Sequence, residues 1–396
     1  MPRLLLAWEF GAGRGHVTAL RDVAAALGVT GAIDASLCHL THAGELAGVC
    51  RDVFQGLELG RDDSLRRANG WVPSATWGEF VCELGLHTPE YLADCIRWYH
   101  RMFEDRKIGL VVADYAPISV LAARAAGIKV VGTGAGYGLV PSSLPSFPIL
   151  VERHATLIHD EQRMVDAVNE AGAPLGLPSI SRGPEIGVMD DALVRSLPFL
   201  DPYAEHRDKP HLPPFAAAPE VLPEGGTEIF AYFSTQELAN PALLDAITTL
   251  PAPVRLHGPG ISDEIKVRIR ATEGMTLLDG PQPVEEIAAR SRIMLHSAQH
   301  GTATMALGCG LPQVAFPQHL EQEFNADRLA ARGTLVQVAR GSTDAGAIRD
   351  AIMQAYHSEA MHRRARELAR EYGPQIRQPS GPIIRARLND VMMPGR

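Results

Sequence analysis

The sequence predicts an α/β protein built from two doubly wound domains, and three observations carry that prediction. Short apolar runs alternate with helix-spaced segments through the first half. The same rhythm restarts near residue 229, and seven prolines crowd residues 198–223 between the two halves. Strands covered by helices on both faces read as near-continuous apolar runs, which is the pattern seen here. A chain of 396 residues also exceeds what one ordinary core organises.

The elements follow in order. Leu4 to Trp8 is a strand-like run that enters the turn Gly11-Ala-Gly-Arg-Gly-His16, and Val17 to Leu27 has helical spacing. Ile33 to Leu40 supplies a second strand. Leu110 to Ala113 and Lys129 to Thr133 are further strands, with a helix over Ala116 to Ala126 between them. The segment Thr76 to Phe103 reads as helical and is rich in aromatic residues. In the second half, Ile229–Phe233, Val254–His257, Met275–Leu278, Ile293–His296, Gln313–Phe316 and Thr334–Val338 are the expected strands. Residues 1–205 form the expected first domain, 206–226 a proline-rich linker and 227–372 the second domain. A tail over 373–396, helical near Ile383 to Met393, is expected to pack back on the first. Ligands of doubly wound sheets bind outside the carboxyl ends of the strands, so the two domains are expected to face a central cleft along those edges.

Composition excludes several functions. Hydrophobic residues make up 46% and charged residues 21%, as in soluble globular proteins. The 37 basic and 46 acidic residues leave a net charge of −9 without a basic run, which argues against a nucleic-acid partner. Five cysteines without a C-x-x-C pair point to reduced thiols and a cytoplasmic setting rather than to disulfides or zinc. No 18-residue apolar run or signal peptide is evident, so no transmembrane segment is expected. Oligomeric state is not legible at this level.

The chemistry-bearing residues all follow strands. Gly11, Gly13 and Gly15 allow a tight turn into a helix whose N–H groups suit an anion. The spacing is not G-x-G-x-x-G, and no acid follows a clear second strand at the ribose position, which demotes a nicotinamide enzyme. His16 ends this turn and Asp114 ends another strand of the same sheet. A histidine paired with a carboxylate makes a general base near neutral pH.

With those residues, Gly13-Arg-Gly-His16 and Val-Ala-Asp114-Tyr resemble the corresponding motifs of family 1, UDP-glycosyltransferase-like proteins. The second half adds Gly310-Leu-Pro312, Glu321-Gln322 and Asn325-Ala326 at the family's spacing. The resemblance implies the GT-B fold and inverting, metal-independent hexose transfer, with no cofactor beyond a nucleotide diphosphate sugar as co-substrate. It implies His16 as the base, Asp114 as the acid that orients it, and a small-molecule or lipidic acceptor. The implied donor set is Ser234, Thr235, Gln282, His296, Ser297, His300, Gly301, Thr302, Glu321, Gln322 and Asn325. Within it, the helix opening at Gly301-Thr302 suits a diphosphate, and the adjacent acid and amide suit sugar hydroxyls.

The match has departures. Ungapped alignment puts the family's phosphate-binding histidine on Ser297, with His296 one residue earlier, so that His296, Ser297 and His300 all compete for the role. Ala298-Gln299 replaces a Gly-Gly pair. Met305 replaces a ribose-binding glutamate, and Asp279 or Gly280 stands where a base-stacking tryptophan is frequent. The donor is therefore left as a UDP- or dTDP-sugar. Trp77, Phe80 and Trp98 are the expected acceptor-lining residues, although aromatic residues at helical spacing are more often core. A catalytically silent nucleotide-sugar-binding partner protein and a nucleotide-sugar epimerase of the same fold remain the rival readings.

Overall fold

The computed structural model describes residues 3–11, 13–28, 30–234 and 236–393. Its contacts divide the chain into two compact units, Met1–Leu212 with Pro379–Arg396, and Pro213–Gln378.

The first unit contains β1 (Arg3–Trp8), α1 (Arg14–Leu27), β2 (Ile33–Leu37), β3 (Asp52–Gln55), α2 (Ser64–Ala68), α3 (Trp77–Val81) and α4 (Pro89–Arg106). It continues with β4 (Ile108–Ala113), α5 (Pro117–Ala125), β5 (Lys129–Gly134), α6 (Glu161–Gly172) and β6 (Asp191–Val194). The six strands are parallel in the order β3-β2-β1-β4-β5-β6. β1 is buried from Leu4 to Trp8, as a strand covered on both faces must be. α1 turns Val17, Leu20, Val23 and Ala24 inward and stops at Gly28, which takes the left-handed conformation of a helix cap.

The second unit repeats the plan with β7 (Glu228–Tyr232), α7 (Pro241–Thr248), β8 (Val254–His257), α8 (Asp263–Ala271), β9 (Met275–Leu277), α9 (Val284–Arg290) and β10 (Ser291–His296). Then come α10 (His300–Gly308), β11 (Gln313–Ala315), α11 (Leu320–Ala330), β12 (Leu335–Gln337), α12 (Ala345–His357) and α13 (Glu359–Arg377). The parallel order is β12-β11-β10-β7-β8-β9. Side chains of β7 alternate between two cores: Ile229 and Ala231 pack with Leu256, Leu295 and Val314, whereas Phe230 packs with Ile287, Met294 and Leu311. Before β7 the chain passes over α10 so closely that a Cβ on Gly301 would lie 2.9 Å from the Phe215 carbonyl oxygen.

Three elements depart from the sequence expectation. The expected strands did not include β3 or β6. Both lie at sheet edges, and β3 is exposed or half-buried throughout, so neither needs a long apolar run. The single helix expected over 76–103 is interrupted. A π turn spans Cys82–Leu86, Gly85 adopts φ 97°, and α4 starts afresh with Pro89 in its first turn.

The last helix, α14 (Gly381–Met392), packs on α1 and adds Ile384 and Leu388 to the core that contains Leu20 and Val23. Arg385 donates to the Ala26 carbonyl, and the Arg387 guanidinium pairs with both carboxylate oxygens of Asp191 at the start of β6. Lys209 also reaches that carboxylate, at 2.9 Å. Burial alone would raise the Asp191 pKa, but Arg387 and Lys209 hold it below the usual range. Arg387→Ala leaves this buried carboxylate with Lys209 and main-chain partners. It should destabilise the protein by about 1–3 kcal/mol in denaturant unfolding.

Candidate active site

In the first sheet the strand order reverses between β1 and β4, the point at which open α/β sheets present their ligands. His16 and Asp114 flank that point. Asp114 follows β4, and its N–H donates to the Ala7 carbonyl of β1 at 2.9 Å. His16 lies in the first turn of α1, and its Nδ1 is 3.1 Å from Asp114 Oδ2. The Asp114 side chain is buried, while that of His16 keeps 21% exposure. The carboxylate accepts the proton on Nδ1, which places the basic lone pair on Nε2. Gly11, at φ 96°, matters for that atom, because a Cβ there would stand 3.2 Å from Nε2.

Aromatic rings fix the imidazole. The Trp8 ring stacks on it at 5.1 Å between centroids and 22° between planes, and Tyr115 lies 4.9 Å away. Tyr115 joins Phe10, Trp77 and Tyr137, and Phe80 packs on Phe10 and Trp77. Two of the three expected acceptor residues, Trp77 and Phe80, are thus linked to the His16 ring through Tyr115. Trp98 is not brought to them. It is half-buried on α4, and its ring meets that of its neighbour Tyr99. The buried face of α4 instead carries Leu92, Cys95, Ile96 and Tyr99. Sequence reading missed Phe10 and Tyr115, which adjoin the His16 and Asp114 motifs.

The second sheet reverses between β7 and β10, and polar residues again gather there. Ser234 follows β7 and accepts from Gln299 Nε2 at 2.7 Å, which links the two strand ends. Thr235 lies outside the described residues. His296 ends β10, wholly buried. Its Nδ1 accepts from the Ala298 N–H at 2.8 Å, and its Nε2 meets Gln313 Oε1 at 2.9 Å. Ser297, also wholly buried, donates to Glu237 at 2.5 Å, and Asn325 donates to the Ala298 carbonyl at 3.1 Å. Both main-chain groups of Ala298 are therefore held, and this alanine adopts a left-handed φ of 62°.

These positions separate the expected donor set into internally bonded residues and residues at helix starts. His296, Ser297 and Asn325 are buried struts of the turn before α10, and their polar atoms bond within the protein. In the His296 ring, Nδ1 accepts and Nε2 faces Gln313, so both nitrogens are engaged within the protein. Gln282 accepts from Arg255 at 2.8 Å and donates to the Gly280 carbonyl, so its amide bonds locally too. Gln322 accepts from the Gln318 N–H at 2.7 Å. His300, Gly301 and Thr302 form the first turn of α10. His300 is buried there, Gly301 and Thr302 half-buried, and Gln299 gives the helix no side-chain cap. An uncapped helix start offers N–H groups to an anion. Glu321, half-buried, opens α11. Sequence reading missed Glu237, a buried carboxylate whose only signal is its place soon after β7. Among the described residues, no group of three or more His, Cys, Asp or Glu side chains could hold a metal ion. No helix among them is long and apolar enough to cross a membrane.

No family model matches the chain. It is 27% identical over 222 residues to a dTDP-epi-vancosaminyltransferase of Amycolatopsis orientalis, covering 50% of this chain and 54% of that protein. It is 32% identical over 96 residues to a PGL/p-HBAD biosynthesis glycosyltransferase of Mycobacterium tuberculosis, covering 24% and 22% respectively. The chain thus matches about half the length of the first of these relatives and less of the second. Among solved structures, spinosyn rhamnosyltransferase SpnG superposes over 98% of this chain and all of its own, with a TM-score of 0.66 and 16% identity. The calicheamicin glycosyltransferase CalG4 covers 100% of this chain and 99% of its own at 0.64 and 17% identity. VinC in complex with dTDP covers 99% and 100% at 0.61 and 18% identity. The fold is GT-B, and the resemblance to family 1, UDP-glycosyltransferase-like proteins is borne out.

Two outcomes follow from the turn at Ala298. A left-handed conformation costs a residue with a Cβ about 1–2 kcal/mol, which glycine avoids. Ala298→Gly should therefore be neutral or slightly stabilising in thermal unfolding, and Asn325→Ala should destabilise by about 1–3 kcal/mol. Burial pushes the His296 imidazole down to about 4, against the Gln313 hydrogen bond. Because the folded pKa lies below the unfolded one, the stabilisation is complete above pH 6.5 and is lost as pH falls towards 4, by about 3 kcal/mol. His296→Asn keeps an acceptor for the Ala298 N–H, and its stability should vary less than the parent's between those pH values.

Proposed function

We propose that this protein is an inverting glycosyltransferase. It moves a hexose from a nucleotide diphosphate sugar to a hydroxyl of a small-molecule or lipidic acceptor, without a catalytic metal. The observation that carries this reading is the His16–Asp114 pair at the reversal point of the first sheet, 3.1 Å apart. Asp114 holds the Nδ1 proton, so Nε2 takes the proton of the acceptor hydroxyl as its oxygen attacks the anomeric carbon. The bond from that carbon to the diphosphate oxygen breaks, and a single displacement inverts the centre. The aromatic group around Tyr115, Trp77 and Phe80 suits a flat or apolar acceptor beside His16.

In the second unit, the uncapped first turn of α10 suits the departing diphosphate, whose negative charge grows as the bond breaks. Glu321 suits sugar hydroxyls. A dTDP donor is favoured over UDP on two grounds. Met305 stands where the family's ribose-binding glutamate is expected, and one relative's name and the VinC complex both specify dTDP. The silent-binder reading draws on one observation, that His296 and Ser297 are buried struts.

His16→Ala should lower turnover by about 10²–10⁴-fold, the usual cost of losing a general base. Donor binding should survive, as measured by thermal shift with dTDP-, UDP- and GDP-sugars, with dTDP-sugars stabilising most. Unchanged turnover in that variant would overturn the mechanism. Donor stabilisation in the parent protein without transfer or donor hydrolysis would favour the silent binder.

A further inference from the structure

Glu9 follows β1 directly and is wholly buried, although nothing in the mechanism above uses it. Its carboxylate accepts the main-chain N–H of Ile118 at 2.9 Å and that of Ser119 at 2.6 Å. These are donors of the first turn of α5. Its own N–H donates to the Tyr115 carbonyl at 3.2 Å, and its carbonyl accepts from Leu59 at 2.8 Å. The hydroxyl of Tyr99, buried on α4, lies near the same carboxylate without a hydrogen bond to it. Burial pushes the Glu9 carboxyl up to about 7, against the pull of the Ile118 and Ser119 hydrogen bonds.

A buried acid is a costly way to start a helix, and local caps are the rule. None is possible here. Ala116 occupies the cap position without a side-chain acceptor, and Pro117 follows it. The residue before them, Tyr115, is in the left-handed region at φ 46°, a conformation that a bulky side chain keeps only when its surroundings impose it. Glu9 supplies both restraints from more than a hundred residues away, through its main chain at Tyr115 and its side chain at residues 118 and 119. Asp114 lies immediately before this braced segment.

We propose that Glu9 is a positioning residue. By bracing the segment from Tyr115 to Ser119, it holds Asp114 against His16 Nδ1 and so fixes which imidazole nitrogen bears the proton. The consequence for catalysis rests on the function proposed above, whereas the consequence for the histidine does not.

The test uses the full chain labelled with ¹⁵N-histidine. In the parent protein, His16 should show the Nδ1-protonated tautomer with a proton protected from solvent exchange. In Glu9→Gln, one carboxylate oxygen becomes an amide that cannot accept, and one of the two N–H groups loses its partner. The Nδ1 proton should then exchange about 10-fold faster or more, with a mixture of tautomers. Tyr99→Phe, which keeps the ring and removes only the hydroxyl that lies near Glu9, should give a smaller change of the same kind. It decides the matter if Glu9→Gln does not fold. In turnover, Glu9→Gln should lower kcat about 10–100-fold, as loss of an orienting partner does elsewhere, with the donor KM unchanged. Lower thermal stability in both variants with the His16 signals unchanged would overturn the proposal and leave Glu9 as a core strut. If His16→Ala keeps full turnover, the proposed function fails, and the exchange measurement still judges Glu9.

Discussion

Where a parallel strand gives way to its helix, the chain must leave the sheet with its peptide groups satisfied and no water to help. That constraint shapes both candidate regions. In the first unit, Tyr115 takes a left-handed turn and Glu9 braces it. In the second, Ala298 does the same between His296 and Asn325. Neither residue is glycine, so each conformation persists only because its bonded frame imposes it. The groups proposed for chemistry stand beside these two turns: Asp114 next to one, the start of α10 next to the other.

The frames differ in their charge. Glu9 is a carboxyl in a buried place, which favours its protonated form, whereas burial favours the neutral form of His296. Folding therefore takes up a proton at Glu9 between about pH 4.5 and 7, and acid opposes folding at His296 between 6.5 and 4. The two contributions slope in opposite directions and belong to different units. A flat stability curve for the whole chain in mildly acidic solution would thus conceal two responses of opposite sign.

Much of this was legible in the sequence because the core strands are apolar on both faces. Leu4–Trp8 and Leu110–Ala113 announce themselves, with His16 in the helix start that follows the first and Asp114 directly after the second. The edge strands β3 and β6 were not legible, since Asp52–Gln55 and Asp191–Val194 lack a long apolar run. The internal hydrogen bonds of His296 were not legible, because the whole of Ile293–His296 is buried and a strand buried on both faces gives no alternation to show where a ring points. Glu9 was invisible for a related reason. One acid at the end of an apolar run reads as a strand end, and its partners lie more than a hundred residues away. Phe10 and Tyr115 became meaningful only when folding brought them to Trp77 and Phe80.

The return of α14 to the first unit bears on the order of assembly. The first unit is discontinuous, while everything from Pro213 to Gln378 is one uninterrupted stretch. Ribosomal synthesis releases the later unit complete before the earlier one receives its closing helix. Until Ile384 and Leu388 emerge, the outer face of α1 lacks its cover and Asp191 lacks its guanidinium partner. The nascent first unit therefore keeps apolar surface exposed until α14 is made, a state in which partly assembled domains are prone to aggregate.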